Sequence, residues 1–362
     1  MNIQLIDLEN PLWLETLEKL DYDIYHLPQY VYLESKRTNS VPEAILIVDH
    51  EKIFFLPYLL RRCDNLFDDE LNITNVFDVV SPYGYAGFLL NQAAASAPEF
   101  LNFAIQKLTQ VWRDKQVCSV FLRTHPILNE DLNRITNIDY LKVSGETISI
   151  NLTLDEKEIW YQTRAEHRTK INRCKRAGFI AKIVPFKQYI NEFNFIYEET
   201  MARVGAAKLY YFGLDFFNEF VDLLGDRLHV CIVELNEQIT CAGLFTECNG
   251  IVQYHLGGTK TSFLKQAPSK LMFDYVRFWA KERGNQVFHL GGGVGSAKDS
   301  LYHFKAGFSK QRHNFQTFRL IVDTKQYLNL VKLRAKYLNT EAEKLLETDF
   351  FPAYRLPNSI GS

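Results

Sequence analysis

Residues 97–117, APEFLNFAIQKLTQVWRDKQV, align without a gap on residues 267–287, APSKLMFDYVRFWAKERGNQV. At this constant offset of 170, seven positions are identical: Ala97/Ala267, Pro98/Pro268, Leu101/Leu271, Phe103/Phe273, Arg113/Arg283, Gln116/Gln286 and Val117/Val287. Ordinary composition gives roughly one or two by chance. Each copy reads as a helix opened by proline, with apolar residues at helical spacing (Met272, Tyr275, Val276 and Trp279 in the second), then a short strand, SVFL or VFHL. A hairpin lies upstream of each: AILIVDHEKIFFLPYLL in the first half, and HVCIVELNEQITCAGLF, leading into GIVQYHLGG, in the second. The pattern is strand, turn, strand, helix, strand, twice over, which predicts an α/β (α+β) chain of two tandem domains with mixed central sheets.

The boundary falls near 148, where TISINLTL reads as a strand and Asp155 with Glu158 forms a capping box at a helix start. The expected domains are 1–148 and 149–319. The tail 324–346 has helical spacing and strong helix formers, so 320–362 is expected to pack back on the first domain. With 47% apolar and 14% aromatic residues there is material for two cores. A net charge of −2 excludes a globally basic nucleic-acid binder but not a local basic patch. The N-terminus carries acids where a secretory signal carries Lys or Arg, and the longest apolar stretch is broken by Asp49, His50, Glu51 and Lys52. A cytoplasmic protein with no transmembrane segment is expected. Six scattered cysteines without Cys/His metal spacing point to buried free thiols, and no metal or cofactor is expected.

The segment HLGGGVGSAKDSLYHFKAGFS, 289–309, carries the densest chemistry. It is not a dinucleotide fingerprint: counted from Gly291 the last glycine position is Ser296, and counted from Gly293 it is Lys298. LGGTKTSFLKQ lacks the order of a phosphate loop. In place of these, the run Gly291-Gly292-Gly293 is followed within a dozen residues by Asp299, Ser300, Tyr302 and Lys305, with His289 at its entry. Lys305, set between Phe304 and Ala-Gly, is a candidate to stabilise an oxyanion or phosphate; a snorkelling surface lysine is the alternative.

The stretch 164–187 has eight Lys or Arg against one Glu, and Arg164, Arg168, Asn172 and Lys175 or Arg176 share a helical face, while Ile171 and Cys174 lie on another. Such a stripe grips phosphates, or is simply solvated. Gly178 closes this helix. SPYGYAGFL, 81–89, displays Tyr83 and Tyr85 on an irregular loop, and Arg203 stands at a helix end before an aromatic segment. The nine histidines are scattered and form no nucleophile–base pattern, so direct attack by a bound nucleophile fits better than covalent catalysis.

Taken in order, HRTKINRCKRAGF, ETMARVG, YHLGGT and the glycine-lysine segment resemble the Fem family of non-ribosomal peptidyltransferases. Arg168, Ile171, Cys174 in place of alanine, and Ala177-Gly178 match its Arg-x-x-Ile-x-x-Ala-x-x-Gly helix, and Phe304, Lys305 and Phe308 match its Phe-Lys-x-x-Phe box. The resemblance implies two GNAT-like acyltransferase domains. It further implies an aminoacyl-tRNA donor and an amine of a peptidoglycan-precursor peptide as acceptor. Lys305 would stabilise the charge developing in acyl transfer, Phe304 would shape the donor site, and Tyr254, Arg168 and the loop 81–87 would lie near the acceptor, at the cleft between domains. A peripheral contact with a lipid-linked substrate is compatible with this role. SPYGYAGFL lacks the acidic residue that bridge-forming relatives carry there, which leaves acceptor and general base open. Two other readings stay open: an acyl-CoA-dependent N-acyltransferase in cell-surface modification, and a binding protein without turnover. Ordinary GNAT enzymes cradle a pyrophosphate with Arg/Gln-x-x-Gly-x-Gly/Ala after the fourth strand, a pattern GTKTSFLKQAPSKL lacks.

Overall fold

A computed structural model describes residues 1–66, 75–130, 132 and 140–357. They fall into two compact units, Met1–Ser144 with Phe315–Ser362, and Gly145–Asn314. In chain order the elements are β1 (Asn2–Ile6), α1 (Leu12–Leu17), α2 (Pro28–Thr38), β2 (Val41–Asp49), β3 (Lys52–Arg62), β4 (Phe77–Val80), β5 (Leu89–Leu90), α3 (Gln92–Ala95), α4 (Pro98–Asp114) and β6 (Val117–Arg123). There follow β7 (Leu141–Asn151), α5 (Glu156–Gln162), α6 (Ala165–Arg176), β8 (Ile180–Val184), α7 (Phe186–Arg203), α8 (Gly213–Leu224), β9 (Leu228–Leu235), β10 (Gln238–Cys248) and β11 (Ile251–Thr259). The last are α9 (Pro268–Glu282), β12 (Val287–Gly291), α10 (Ser300–Ala306), β13 (Arg312–Ile321), α11 (Thr324–Tyr337) and α12 (Ala342–Leu346).

The two units repeat one order of strand pairing. In the first it is β1-β2-β3-β4-β6-β13 and in the second β8-β9-β10-β11-β12-β7. In both, the fourth and fifth strands are parallel and all other neighbours antiparallel. The parallel step needs a crossover, and the matching helices α4 and α9 supply it. Each has proline in its first turn, where a missing N–H costs no hydrogen bond. Helix α4 buries Leu101, Ala104, Leu108 and Trp112; α9 buries Leu271, Met272, Phe273 and Val276. One identical pair diverges: Phe103 is 40% exposed and Phe273 only 1%.

Local signals explain the ends of these elements. The β9–β10 hairpin turns on Asn236 (φ 49°) and Glu237 (φ 64°), both left-handed, as a two-residue type I′ loop requires. Asp155 and Glu158 make their reciprocal capping box at α5. Helix α6 ends in a Schellman motif, with Phe179 N donating to Cys174 O, Gly178 N to Lys175 O, and Gly178 at φ 84°. The tail is not one helix over 324–346. Asn339 (φ 51°) stops α11, with Thr340 N on Ala335 O and Asn339 N on Lys336 O, and α12 starts afresh. The tail then docks on the first unit through Asp78, which is buried and accepts hydrogen bonds from Arg61 (2.8 Å), Arg355 (2.5 Å) and the Tyr354 hydroxyl (3.0 Å). The two arginines hold this carboxyl below the usual range against its burial.

Candidate active site

Strands β11 and β12 pair only from Ile251↔Val287 to Gln253↔His289. Beyond that rung β11 stays with β10 as far as Thr259, while Gly291 of β12 pairs with Ile148 of β7 across an irregularity at His289/Gly291. The parallel strands therefore part, and the residues just past the fork are Tyr254 on one side and the glycine run on the other. Gly291 turns away at φ 76°, a conformation L side chains rarely adopt. At Gly293 a Cβ would stand 2.1 Å from Ala297 O and 2.4 Å from Asp299 Oδ1, so only a bare backbone fits. Asp299 fastens the loop: it caps α10 by accepting from Tyr302 N (2.8 Å) and also accepts from Val294 N (3.1 Å).

Helix α10 turns Lys305 inward. Its ammonium donates to Gly292 O at 2.7 Å and lies 5.6 Å from the centroid of the Tyr254 ring. Lys305 is 6% exposed. Burial pulls it down from 10.5 to about 7, against the opposing charge of Asp299. In its protonated form it is an ammonium with one carbonyl acceptor among the described residues, and with capacity for a second. Tyr254 packs on Phe273 (4.7 Å) and Phe245 (5.6 Å), and burial pushes its phenol up. Phe304 sits among Phe273 (5.3 Å), Phe308 (5.5 Å) and His167 (5.8 Å). Tyr302 donates to Glu146 at 2.8 Å, a carboxylate also paired with Lys298 at 2.5 Å, and Ser300 is exposed at the start of α10.

At the last shared rung His289 is fully buried, its Nδ1 2.5 Å from Gln253 Oε1. The next strand adds Ser149, opposite His289, whose hydroxyl meets His313 Nε2 at 2.7 Å. Four buried polar side chains thus run across the sheet at the fork; Gln253, Ser149 and His313 were not among the sequence candidates, for no spacing in the chain joins them.

The basic helix α6 buries His167, Ile171 and Cys174, and holds Arg168 over the ring of Tyr161 at 5.7 Å. Asn172 and Arg176 are exposed, and Arg176 Nε bonds Asn172 O at 3.3 Å. Part of the stripe is neutralised: Lys175 pairs with Asp274 (2.7 Å), which also holds the fully buried Arg277. Arg203, at the end of α7, donates to Thr261 Oγ1 (3.0 Å) and Thr200 Oγ1 (3.2 Å), which ties it to the turn after β11.

Tyr83 and Tyr85 belong to the first unit, on a loop held at several points. The Tyr30 hydroxyl donates to Tyr83 O (2.9 Å), Tyr83 N to Glu34 (3.3 Å), and His26 Nε2 to Ala86 O (2.5 Å). Burial lowers His26 to about 4, which keeps it neutral. Gly84 (φ 99°) lies against the Tyr25 ring, Tyr83 lies 5.8 Å from Arg37, and Tyr85 is edge-on to Tyr25 (6.1 Å) and Phe315 (5.3 Å). Asp23 and His125, both fully buried, pair beneath them at 3.1 Å.

All six cysteines are buried free thiols. Among the described residues there is no cluster of three or more His, Cys, Asp or Glu suited to a metal, and no helix is long and apolar enough to cross a membrane.

Residues 162–305 match the acetyltransferase (GNAT) domain family. No curated protein is detectably similar in sequence. Among solved structures, FemX superposes with a TM-score of 0.69 at 12% identity, over 90% of this chain and 99% of FemX. A conserved protein of unknown function from Bacteroides thetaiotaomicron superposes with a TM-score of 0.50 at 12% identity, over 83% of this chain and 90% of its own. The match over 162–305 takes in the basic helix, the forked strands and Lys305 itself. The chain thus has a fold similar to that of FemX, and its residues 162–305 match the acetyltransferase (GNAT) domain family.

Proposed function

We propose that this protein is an acyltransferase that moves an aminoacyl group from aminoacyl-tRNA to an amine of a cell-envelope precursor. The observation that carries the choice of donor is the turn between β11 and α9, where ordinary GNAT enzymes cradle the pyrophosphate of coenzyme A. Here Thr261 N donates to the Glu199 carboxylate at 2.9 Å, Lys260 N to Thr240 O at 2.9 Å and Phe263 N to Lys260 O at 2.9 Å. An acid of the chain itself thus occupies a backbone donor of this turn, and its negative charge would repel a phosphate there. The basic face of α6, with Arg168 and Arg176, offers a different place for a phosphodiester backbone.

The proposed reaction is acyl transfer at the fork. The acceptor amine attacks the ester carbonyl carbon, a C–N bond forms, and the C–O bond to the terminal ribose breaks. The amine loses a proton and the ribose oxygen gains one. Lys305 in its ammonium form donates to the carbonyl oxygen as it becomes an oxyanion, and that negative charge raises the lysine above its resting value of about 7. Phe304 and Tyr254 exclude water from that point. Incubation with radiolabelled aminoacyl-tRNA and an amine-bearing peptidoglycan-precursor peptide is expected to give labelled amide. Lys305→Met should lower the yield by about two orders of magnitude or more while leaving donor binding in place. Amide formed from acetyl-CoA instead, or unchanged turnover by Lys305→Met, would overturn the reading.

A further inference from the structure

Helix α10 is two turns long, and at its C-terminal end Phe304 O accepts from Gly307 N (3.1 Å) and Lys305 O from Phe308 N (3.0 Å), which leaves a second lone pair on each carbonyl. The chain around the start of α6 supplies partners for the end of α10 and the residues just after it. Arg164 N donates to Gly307 O (2.8 Å), Thr163 Oγ1 approaches Phe308 O (3.3 Å), and His167 Nε2 donates to Phe304 O (2.9 Å). The histidine is the unusual member. It is 3% exposed, and its ring lies edge-on to Phe308 at 4.9 Å. A carbonyl only accepts, so Nε2 carries the proton, and burial keeps the ring neutral by lowering its pKa. Its Nδ1 is then a buried acceptor with no hydrogen-bond partner among the described residues. Leaving such an atom unmet is unfavourable, so an apolar residue would fill this space better unless the Nε2 bond matters. The approach also dictates residue 307. Gly307 has φ −73°, open to any residue, yet a Cβ there would stand 2.2 Å from His167 Nε2 and 2.4 Å from Cε1.

We propose that His167 is a positioning residue for Lys305: by holding the carbonyl of Phe304 it fixes the rotation of α10 that sets the Lys305 ammonium on Gly292 O beside Tyr254. The bond also locks α6, and with it the basic face, to the lysine. This inference rests on Lys305 being the cation of the transfer site, but the titration of Lys305 tests it independently of any reaction.

The readout is the pH dependence of Lys305 acetylation by trace acetic anhydride, followed by mass spectrometry on the full chain. Asp299 and Tyr254 are the titratable groups facing this lysine, and neither is altered. Gln places its amide nitrogen where Nε2 stands and keeps the donor; Asn reaches only as far as Nδ1 and loses it. The wild type and His167→Gln are expected to share a midpoint near 7. In His167→Asn and in Gly307→Ala, whose methyl displaces the ring, the midpoint should rise by about one pH unit or more as α10 turns and Lys305 gains water. A midpoint unmoved in both His167→Asn and Gly307→Ala, or moved as far in His167→Gln as in His167→Asn, overturns the proposal. If His167→Asn fails to fold, Gly307→Ala against the wild type decides alone. A shifted midpoint in a protein whose wild type transfers nothing from aminoacyl-tRNA would uphold the positioning role while the donor assignment fell.

Discussion

Lys305 holds a buried charge, and replacing it with Met should make the protein more stable. In the folded chain its pKa falls from 10.5 to about 7 because of burial. At about 1.4 kcal/mol per pKa unit, the protonated side chain opposes folding by up to about 5 kcal/mol. The Gly292 carbonyl and the Tyr254 ring offset part of this, so a gain of about 2–4 kcal/mol is expected for an isosteric apolar replacement. The sign with pH follows from proton counts. Between about 7 and 10.5 the unfolded chain keeps the lysine proton and the folded chain does not, so wild-type stability rises with pH across that window. The advantage of Lys305→Met is therefore full below pH 7 and shrinks as pH climbs. Urea unfolding of both proteins at pH 6.5 and 9.5, with the difference taken at each pH, measures this directly. A variant less stable than the wild type at pH 6.5, or an advantage that does not change with pH, would refute a buried, neutralisable lysine. Stability gained at the expense of transfer is what a functional site should show.

Two further substitutions probe the first unit. Gly84→Ala would put a methyl 2.2 Å from Tyr25 Cε1 at a φ of 99°; a loss of about 2–4 kcal/mol in urea unfolding is expected, and one below about 0.5 kcal/mol would mean that the tyrosine loop is not held as described. Asp78→Asn strips the carboxylate from between Arg61 and Arg355, both of which pair with it. Thermal and urea unfolding should show a loss of about 3–5 kcal/mol together with earlier proteolysis of the C-terminal tail, and unaltered tail protection would separate Asp78 from docking.

What the sequence disclosed was chiefly what is written locally. The offset between the halves is visible because proline at a helix start, an apolar stripe and a following strand all lie within about twenty residues, and each makes the same element wherever it occurs. The Asp155/Glu158 box, the Gly178 stop and the Asn236-Glu237 hairpin are equally local. Lys305 stands out for the same reason, set between Phe304 and Ala306 after a glycine run, although its inward orientation came only with the packing of α10. The helix break at Asn339 was also legible in principle, since Asn readily takes the left-handed position that ends α11. Other features had no local signal. His167 is 137 positions from the carbonyl it holds, Glu199 is 62 from Thr261, Gln253 is 36 from His289, and Tyr302 is 156 from Glu146. Which of several histidines meets an acceptor depends on how helices are stacked, and no periodicity along the chain encodes that. The same holds for Arg203, whose place at a helix end was visible while its grip on Thr261 was not.

Aminoacyl-tRNA as donor is tested most directly by binding. Purified protein should be titrated side by side with aminoacyl-tRNA, uncharged tRNA and acetyl-CoA at two salt concentrations. Binding to tRNA is expected to weaken steeply with salt and to tighten with the aminoacyl group, with no measurable binding of acetyl-CoA. Saturable binding of acetyl-CoA with none of tRNA would contradict it, and would mean that the Glu199-occupied turn yields to a pyrophosphate after all.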